Sequence, residues 1–350
     1  MKRLLIMVIT LFFVAFTTYA QPITVTFINP GHKQDNPTGA FWHNVSKVMD
    51  AAAEDLDIQL TTLYAERNHI VMKKLAQQAL LSNSDYLVLV DEKGVITDAL
   101  LTATGEHKRV SFLLNSPDKL ALKRVSAKGI GVLGSVTPDN YQAGRLLAKL
   151  LHQSLPDELQ QTGERSTMLA LLGDVATRAA IEREQGLLGY TNRNYGVNLV
   201  DRVDAQWSEK SAYELATGLL QRFPDTKLIW CANDAIARGA ARAATELNIR
   251  DQVHIGGINW DEGHEKTVDV SLGGHVFLGG YLLTEIRKFH DRKISAIGEQ
   301  KIAIFRPYSE NFRPLYDALH GRGLRDIDFR KFTTGGQSYN IKTLNQQIKF

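Results

Sequence analysis

The chain has 350 residues, of which 44% are hydrophobic and 23% charged, with 41 Lys and Arg against 38 Asp and Glu. This balance is typical of a globular protein, and it excludes a disordered chain or a surface that coats nucleic acid. At roughly 100–200 residues per domain, the length suggests two domains. The single cysteine, Cys231, excludes an intramolecular disulfide framework and any metal site built from several cysteines.

The first twenty residues have the three parts of a secretory signal peptide. Lys2 and Arg3 precede an apolar run from Leu4 to about Phe16, and small or polar residues then lead to Ala20. A transmembrane helix needs about 20 apolar residues, and this run is shorter. The sequence therefore favours a signal peptide that is cleaved near Ala20 over an uncleaved membrane anchor. Cleavage would take the formal charge from +3 to +1. No later segment approaches about 18 apolar residues, so we expect a soluble periplasmic protein without stable membrane insertion.

Apolar strand-like segments alternate with amphipathic helical segments along the rest of the chain. Strands that are apolar throughout and separated by helices indicate buried parallel strands in βαβ units. The alternation runs through two successive sets, which predicts two doubly wound α/β lobes with parallel sheets. The predicted strands are 23–29, 58–64, 85–90, 109–114 and 129–136 in the first set, and 166–172, 198–205, 227–232 and 253–258 in the second.

In open α/β sheets, ligands bind beyond the carboxyl ends of the strands, so the residues that follow each strand are candidate site residues. Asn and Asp also favour turns and helix caps, which is the alternative role for each of them. The residues after the predicted strands are Asn29, Glu66, Asp91, Asn115, Asp174, Gln206, Trp207, Asn233, Asp234, Asn259, Trp260 and Asp261.

Three of the four tryptophans strengthen this prediction. Trp42, Trp207 and Trp260 fall on strand-end loops or on the first turn of the next helix, whereas Trp230 lies inside a strand and is expected in the core. An indole in a loop is unfavourable unless a partner covers it. Because aromatic faces stack on the C–H faces of sugar rings, a cleft with indoles, amides and carboxylates favours a small polyhydroxylated ligand.

The order of these motifs resembles the type I periplasmic sugar-binding proteins, the class of ribose- and galactose-binding proteins. That class is related to the sensor domains of the lactose-repressor family and to the autoinducer-2 receptor. The resemblance covers roughly residues 22–335, and its most specific element is the Asn-Asp-x-x-Ala-x-Gly stretch at 233–239. The segments that carry it are 23–29, Gly39-Ala-Phe-Trp42, Asn233-Asp-Ala-Ile-Ala-Arg-Gly239 and Gly257-Ile-Asn-Trp-Asp261.

The resemblance implies a ligand site between two lobes that are joined by a three-crossover hinge. It implies an N-terminal lobe of residues 21–137 plus 275–306 and a C-terminal lobe of 138–274 plus 307–350, with crossings near Thr137, Gly274 and Pro307. An Asp-Arg pair of the family is replaced here by Asn115 and Ser116, and an acid by Asn259, so a plain aldohexose is not assumed. The ligand-binding residues that it implies, together with the strand-end residue Asp91, are Phe41, Trp42, Asp91, Asn115, Arg183, Trp207, Asn233, Asn259 and His275.

Two functions remain open at this stage. The first is a solute receptor that delivers a sugar-like ligand to the permease of an ABC importer. The second is a sensory receptor of the same fold that signals to a membrane sensor kinase or chemoreceptor. No cofactor, metal or nucleic-acid partner is expected, and the oligomeric state is left open. An enzyme is disfavoured because no nucleophile is paired with a base.

One motif is treated as coincidental. Gly129-Ile-Gly-Val-Leu-Gly134 matches the dinucleotide-binding pattern G-x-G-x-x-G. In a dinucleotide site the pattern follows a strand and opens a helix. Here it lies within a predicted strand, and the next helix begins only after Pro138. We therefore expect a hinge strand at this position.

Overall fold

The computed structural model describes residues 22–33, 38–103, 108–156 and 165–348. The predicted signal peptide and its cleavage point lie outside these residues. Within the described ranges, no helix is both long enough and apolar enough to span a bilayer.

Two six-stranded sheets form the framework of the molecule. The first sheet has the spatial order β11-β5-β4-β3-β1-β2 and is parallel throughout. Its strands are β1 (Ile23–Asn29), β2 (Ile58–Tyr64), β3 (Tyr86–Leu89), β4 (Arg109–Leu113), β5 (Gly131–Pro138) and β11 (Gly298–Ile302).

The second sheet has the order β12-β10-β9-β8-β6-β7, and its short edge strand β12 pairs antiparallel with β10. Each sheet, with the helices packed on it, is called a lobe below, the first sheet belonging to the first lobe. The predicted fold of two doubly wound α/β lobes is confirmed. The strands of the second sheet are β6 (Ser166–Leu172), β7 (Val197–Asp204), β8 (Thr226–Cys231), β9 (His254–Ile258), β10 (Val270–Gly273) and β12 (Arg306–Pro307).

Helices connect the strands and cover the sheets. The sequence prediction lacks four of the helices that the structure describes, at 119–127, 278–290, 313–320 and 341–345. In the first of these, Val125 is the one buried residue, so its apolar stripe is weak. The helices are α1 (Phe41–Asp55), α2 (His69–Leu80), α3 (Val95–Thr102), α4 (Lys119–Ala127), α5 (Asn140–Gln153), α6 (Arg178–Thr191), α7 (Glu209–Arg222), α8 (Asp234–Glu246), α9 (Leu278–His290), α10 (Arg313–His320) and α11 (Ile341–Asn345).

The central strands supply the hydrophobic core of each lobe. All four residues of β3 are buried in the first lobe. In the second lobe Trp230 on β8 is fully buried, as the sequence predicts, and its indole Nε1 donates to the carbonyl oxygen of Gly144 at 3.1 Å. Central parallel strands are covered on both faces, which explains why they read as continuous apolar runs.

The chain passes between the two sheets three times: after β5, after β10, and between β11 and β12. The last four residues of the coincidental glycine motif, 131–134, lie in β5, and Gly129 lies in the turn before the strand. A Cβ atom at Gly134, whose φ is +147°, would lie 2.1 Å from the carbonyl oxygen of Gly298. The glycine is thus required by the close approach of β11. The assignment of individual residues to lobes stays a prediction.

The last segment of the chain contacts both lobes. The Tyr316 hydroxyl accepts from the backbone N–H of Gly263 at 2.9 Å in the second lobe. Lys47 of α1 donates to the carbonyl oxygen of Leu319, and the Tyr339 hydroxyl donates to the carbonyl oxygen of Phe277 at 2.6 Å. The segment therefore bridges the two lobes.

Candidate functional site

A cavity of about 70 Å³ lies between the carboxyl ends of the strands of the two lobes. One water needs roughly 10–15 Å³ by the same measure, so the cavity has room for one small molecule and not for an oligomer. It is lined by Thr38, Phe41, Trp42, Arg67, Glu92, Leu114, Asn115, Pro138, Asn140, Thr177, Ala179, Arg183, Trp207, Asn233, Asn259 and His275.

The structure brings eight of the nine predicted site residues together around this cavity. They come from both lobes and from the crossing after β10, as a site at the strand ends requires. Their role in ligand binding stays a prediction. The eight residues are Phe41, Trp42, Asn115, Arg183, Trp207, Asn233, Asn259 and His275.

Asp91 is the predicted site residue that does not line the cavity. Its carboxylate accepts from the backbone N–H of Thr97 at 3.0 Å and from the Thr97 hydroxyl at 2.7 Å. These bonds satisfy donors in the first turn of α3, which is the alternative role that Asp has after a strand. Burial raises the pKa of Asp91. The next residue, Glu92, faces the cavity in its place.

Trp260 is a second correction, because its indole lies in the core of the second lobe and not in the cleft. It is fully buried, and its ring packs against Phe312 at 5.8 Å and Tyr308 at 6.2 Å between centroids. The partner that covers this loop indole is the last segment of the same chain. Those residues lie about 50 positions further on, so the local sequence could not indicate them.

Arg67 and Glu92 form an ion pair in the first-lobe wall that the sequence prediction missed. Nη1 of Arg67 donates to both carboxylate oxygens of Glu92, at 3.0 and 2.9 Å. Glu92 is buried and Arg67 is half-buried. Such a pair is internally neutralised, because each carboxylate oxygen already accepts from the guanidinium. The only signal in the sequence was the position of both residues just after a strand.

Arg183 of α6 is the main polar group of the second-lobe wall. Its Nε donates to Oδ1 of Asn140 at 3.0 Å, and its Nη1 donates to the carbonyl oxygen of Ala232 at 2.6 Å. Its Nη2 donates to Nε2 of His275 at 3.1 Å. Burial lowers the pKa of Arg183 to about 10, so it remains a cation at neutral pH.

His275 is a neutral imidazole with a defined tautomer. Burial and the neighbouring Arg183 both lower its pKa well below the ordinary value. Since a guanidinium can only donate, Nε2 of His275 accepts and the ring proton lies on Nδ1. Nδ1 is buried and has no partner among the described residues. His275 therefore has one unsatisfied donor beside the cavity.

Aromatic rings from different parts of the chain form two sides of the cavity. Phe41 stacks on the His275 ring at 4.7 Å and contacts Trp42 edge to face at 4.9 Å. Trp207, with φ at +61°, lies over Gly173, where a Cβ atom would be 2.3 Å from the indole. The glycine thus lets the indole lie against the loop after β6.

Four asparagine amides complete the polar lining, and the orientation of two of them is fixed by the protein. Oδ1 of Asn233 accepts from the backbone N–H of Ile236 at 2.8 Å, and Oδ1 of Asn140 accepts from Arg183. Their NH₂ groups make no hydrogen bond to the residues that the structure describes. Asn115 and Asn259 make no side-chain hydrogen bond to a described residue. Asn140 and Asn233 therefore present donors to the cavity, whereas Asn115 and Asn259 can present either a donor or an acceptor.

A cluster of charged residues lies behind Asn233 and Asn259. The Asp234 carboxylate accepts from the Ser271 hydroxyl at 2.8 Å and from the backbone N–H of Asp261 at 2.9 Å. Arg238 pairs with Asp261 at 3.3 Å and with Glu209 at 3.0 Å. Burial, and for Asp261 the neighbouring Asp234, raises the pKa of both aspartates to about 6. The cluster fixes the two loops that carry the amides.

The chain matches a family model described as the periplasmic binding protein domain, over residues 34–264. The protein belongs to this family. Family membership implies a periplasmic location, which agrees with the expected export. It also agrees with the relatives below, whose names describe binding proteins and not enzymes.

Individual relatives are similar over most of the chain. A D-apiose import binding protein from Paraburkholderia graminis is 25% identical over 248 residues, which covers 71% of this chain and 73% of the relative. The D-allose-binding periplasmic protein of Escherichia coli is 24% identical over 217 residues, which covers 62% of this chain and 68% of the relative. The crystal structure of a periplasmic sugar-binding protein from Pseudomonas fluorescens superposes with a TM-score of 0.79 and 27% identity, over 93% of this chain and 98% of that one.

Proposed function

We propose that the protein captures a small sugar-like ligand between its two lobes and delivers it to the permease of an ABC importer. The observation that carries this proposal is the cavity between the sheets, lined by Trp42, Trp207, four amides and a buried arginine. Indoles offer faces to the C–H side of a sugar ring, and the amides and Arg183 bind its oxygens. The names of the apiose, allose and Pseudomonas relatives support the same ligand class.

Contacts between the lobes around the cavity support a closed form that encloses the ligand. Lys93 of the first lobe pairs with Asp174 of the second at 2.5 Å. Lys301 on β11 lies 3.4 Å from Asp139 and 3.8 Å from Glu182. Hinge motion between an open and a closed form is the usual way in which a two-lobed receptor binds its ligand.

A ligand screen tests the binding half of the proposal. Thermal shift over pentoses, hexoses, polyols, furanoses and their acids should identify at least one compound that raises the Tm, since ligand at 100 times Kd adds about 2.7 kcal/mol. Trp207→Ala should abolish the shift, whereas Tyr195→Ala, at an exposed position outside the cavity, should keep it. A screen in which no compound stabilises the protein would refute the assignment.

The importer half is tested in cells. Deletion of the coding sequence should abolish uptake of the labelled ligand, and neighbouring genes for a permease and an ATPase are expected. If uptake persisted while a sensor kinase lost its response to the ligand, the receptor would be sensory. N-terminal sequencing of the exported protein should begin at Gln21, which tests the proposed cleavage after Ala20.

A further inference from the structure

The charges that line the cavity are unequal. Arg67 and Arg183 are cations, and Glu92 is the one carboxylate among the described lining residues. Nη1 of Arg67 donates to both oxygens of Glu92, so the charge of this carboxylate is balanced by Arg67. The lining therefore keeps one positive charge in excess.

The excess charge belongs to Arg183, whose partners in the structure are all neutral. It donates to an amide oxygen, a backbone carbonyl and a neutral imidazole, and no carboxylate among the described residues lies within ion-pair distance. Asp234 and Glu182 act on it only from a distance. A buried cation without a contacting anion is costly, so a ligand anion in the cavity would be stabilised.

The hydrogen-bond donors of the cavity point to the same ligand chemistry. Within the described part of the chain, the NH₂ groups of Asn140 and Asn233, the Nδ1–H of His275 and two N–H groups of Arg183 have no acceptor. A neutral sugar hydroxyl donates as well as accepts, whereas a carboxylate only accepts. Hydrogen bonds to a charged group contribute about 1.5–3 kcal/mol, against about 1 for neutral pairs.

We propose that the ligand is a sugar acid, a single polyhydroxylated ring or short chain with one carboxylate that accepts hydrogen bonds from Arg183. The inference rests on the proposed function and names the ligand class of the same site. One carboxylate balances the single excess charge, and the aromatic rings cover the C–H faces of the remaining carbons. A phosphate ester, with up to two negative charges, would exceed that balance.

Calorimetric titration of matched pairs tests the inference on the unmodified protein. Each neutral monosaccharide is compared with the uronic and aldonic acids of the same configuration, and with its phosphate ester. For the pair that fits the cavity, the acid should bind roughly 2- to 30-fold more tightly than the neutral parent, which corresponds to the difference of about 0.5–2 kcal/mol between a charged and a neutral hydrogen bond. If a neutral parent bound as tightly as its acid, or if a phosphate ester bound best, the proposed sugar-acid ligand would be refuted. The proposed capture of a sugar-like ligand would not be affected by either result. If no compound bound at all, the proposed function itself would fail.

Variants of two arginines on α6 test whether Arg183 causes the preference for the acid over the neutral sugar. Arg183→Gln should reduce the preference for the acid to less than about twofold, and Arg183→Lys should keep part of it because the charge remains. Arg178→Gln is the matched control, because Arg178 lies on the same helix, pairs with Glu182 at 2.9 Å and does not line the cavity. If Arg183→Gln kept the full preference, another group would bind the carboxylate. If Arg183→Gln failed to fold, the matched pairs on the unmodified protein would still decide the ligand class.

Discussion

The two walls of the cavity handle buried charge in opposite ways. In the first lobe, Arg67 and Glu92 neutralise each other. In the second lobe, Arg183 donates only to neutral groups, and the nearby Asp261 pairs with Arg238 instead. The comparison shows that charge near a site is informative only after its partners are known. In the first wall, Arg67 and Glu92 stabilise the structure. In the second wall, we expect the charge of Arg183 to bind the ligand.

Breaking the ion pair of the first wall should have the largest effect on stability. Arg67→Met leaves Glu92 buried without its partner, which should lower the free energy of unfolding by about 3 kcal/mol. Urea unfolding measures this change. The double variant Arg67→Met/Glu92→Met should regain more than half of it, since no unpaired charge remains. Arg124→Met, at an exposed position of the same lobe, serves as the control. Equal effects of Arg67→Met and Arg124→Met would contradict a structural role for the pair.

The aspartates behind the second wall should make stability depend on pH. Their pKa values are raised to about 6, above the about 3.8 of the unfolded chain. Between these values the folded state binds more protons, so the contribution of the pair is present below pH 4 and decreases as pH rises through 6. The slope is at most about 1.4 kcal/mol per pH unit for one proton.

Urea unfolding from pH 4 to 7 measures this dependence. Asp261→Asn should make the fall shallower, and Asp225→Asn, at an exposed position, should leave the profile as it is. A wild-type profile that Asp261→Asn does not alter would show that the pair is ionised throughout.

Substitution of Asn233 distinguishes its role as a helix cap from its proposed role in ligand binding. It caps α8, and its loss should lower the free energy of unfolding by about 1 kcal/mol. Asp118→Ala removes an equivalent cap of α4 outside the cavity and should cost the same. Ligand binding, measured by calorimetry, should be lost in Asn233→Ala and retained in Asp118→Ala. Retention in both would show that Asn233 only caps its helix.

The salt bridge between the walls should have the smallest effect. Lys93 and Asp174 are partly exposed, so Lys93→Met should change affinity by no more than about fivefold. X-ray scattering should show a slightly larger radius for the unliganded variant. Lys73→Met removes the pair with Asp98 within the first lobe and should leave the radius unchanged. The same radius for both variants would exclude a role for Lys93 in closure.

The strand ends predicted which residues meet around the cavity, because the fold brings these ends together whatever the loops contain. The sequence could not show which of two adjacent acids, Asp91 or Glu92, faces the cavity, since that depends on the donors of α3. The prediction that Trp260 lies in the cleft was wrong because the residues that cover its indole belong to the distant segment around Phe312. Asn140 and Arg67 were missed because only the folded structure brings them beside Arg183 and Glu92.

A single small ligand should bind between the two walls, and calorimetric titration combined with tryptophan fluorescence measures this. We expect one ligand per chain and a fluorescence change that Trp207→Ala removes together with binding. We also expect the acid of the matched pair to bind more tightly than the neutral sugar. Binding that survives unchanged in both Trp207→Ala and Arg183→Gln would contradict these expectations, because the ligand would then occupy another part of the molecule.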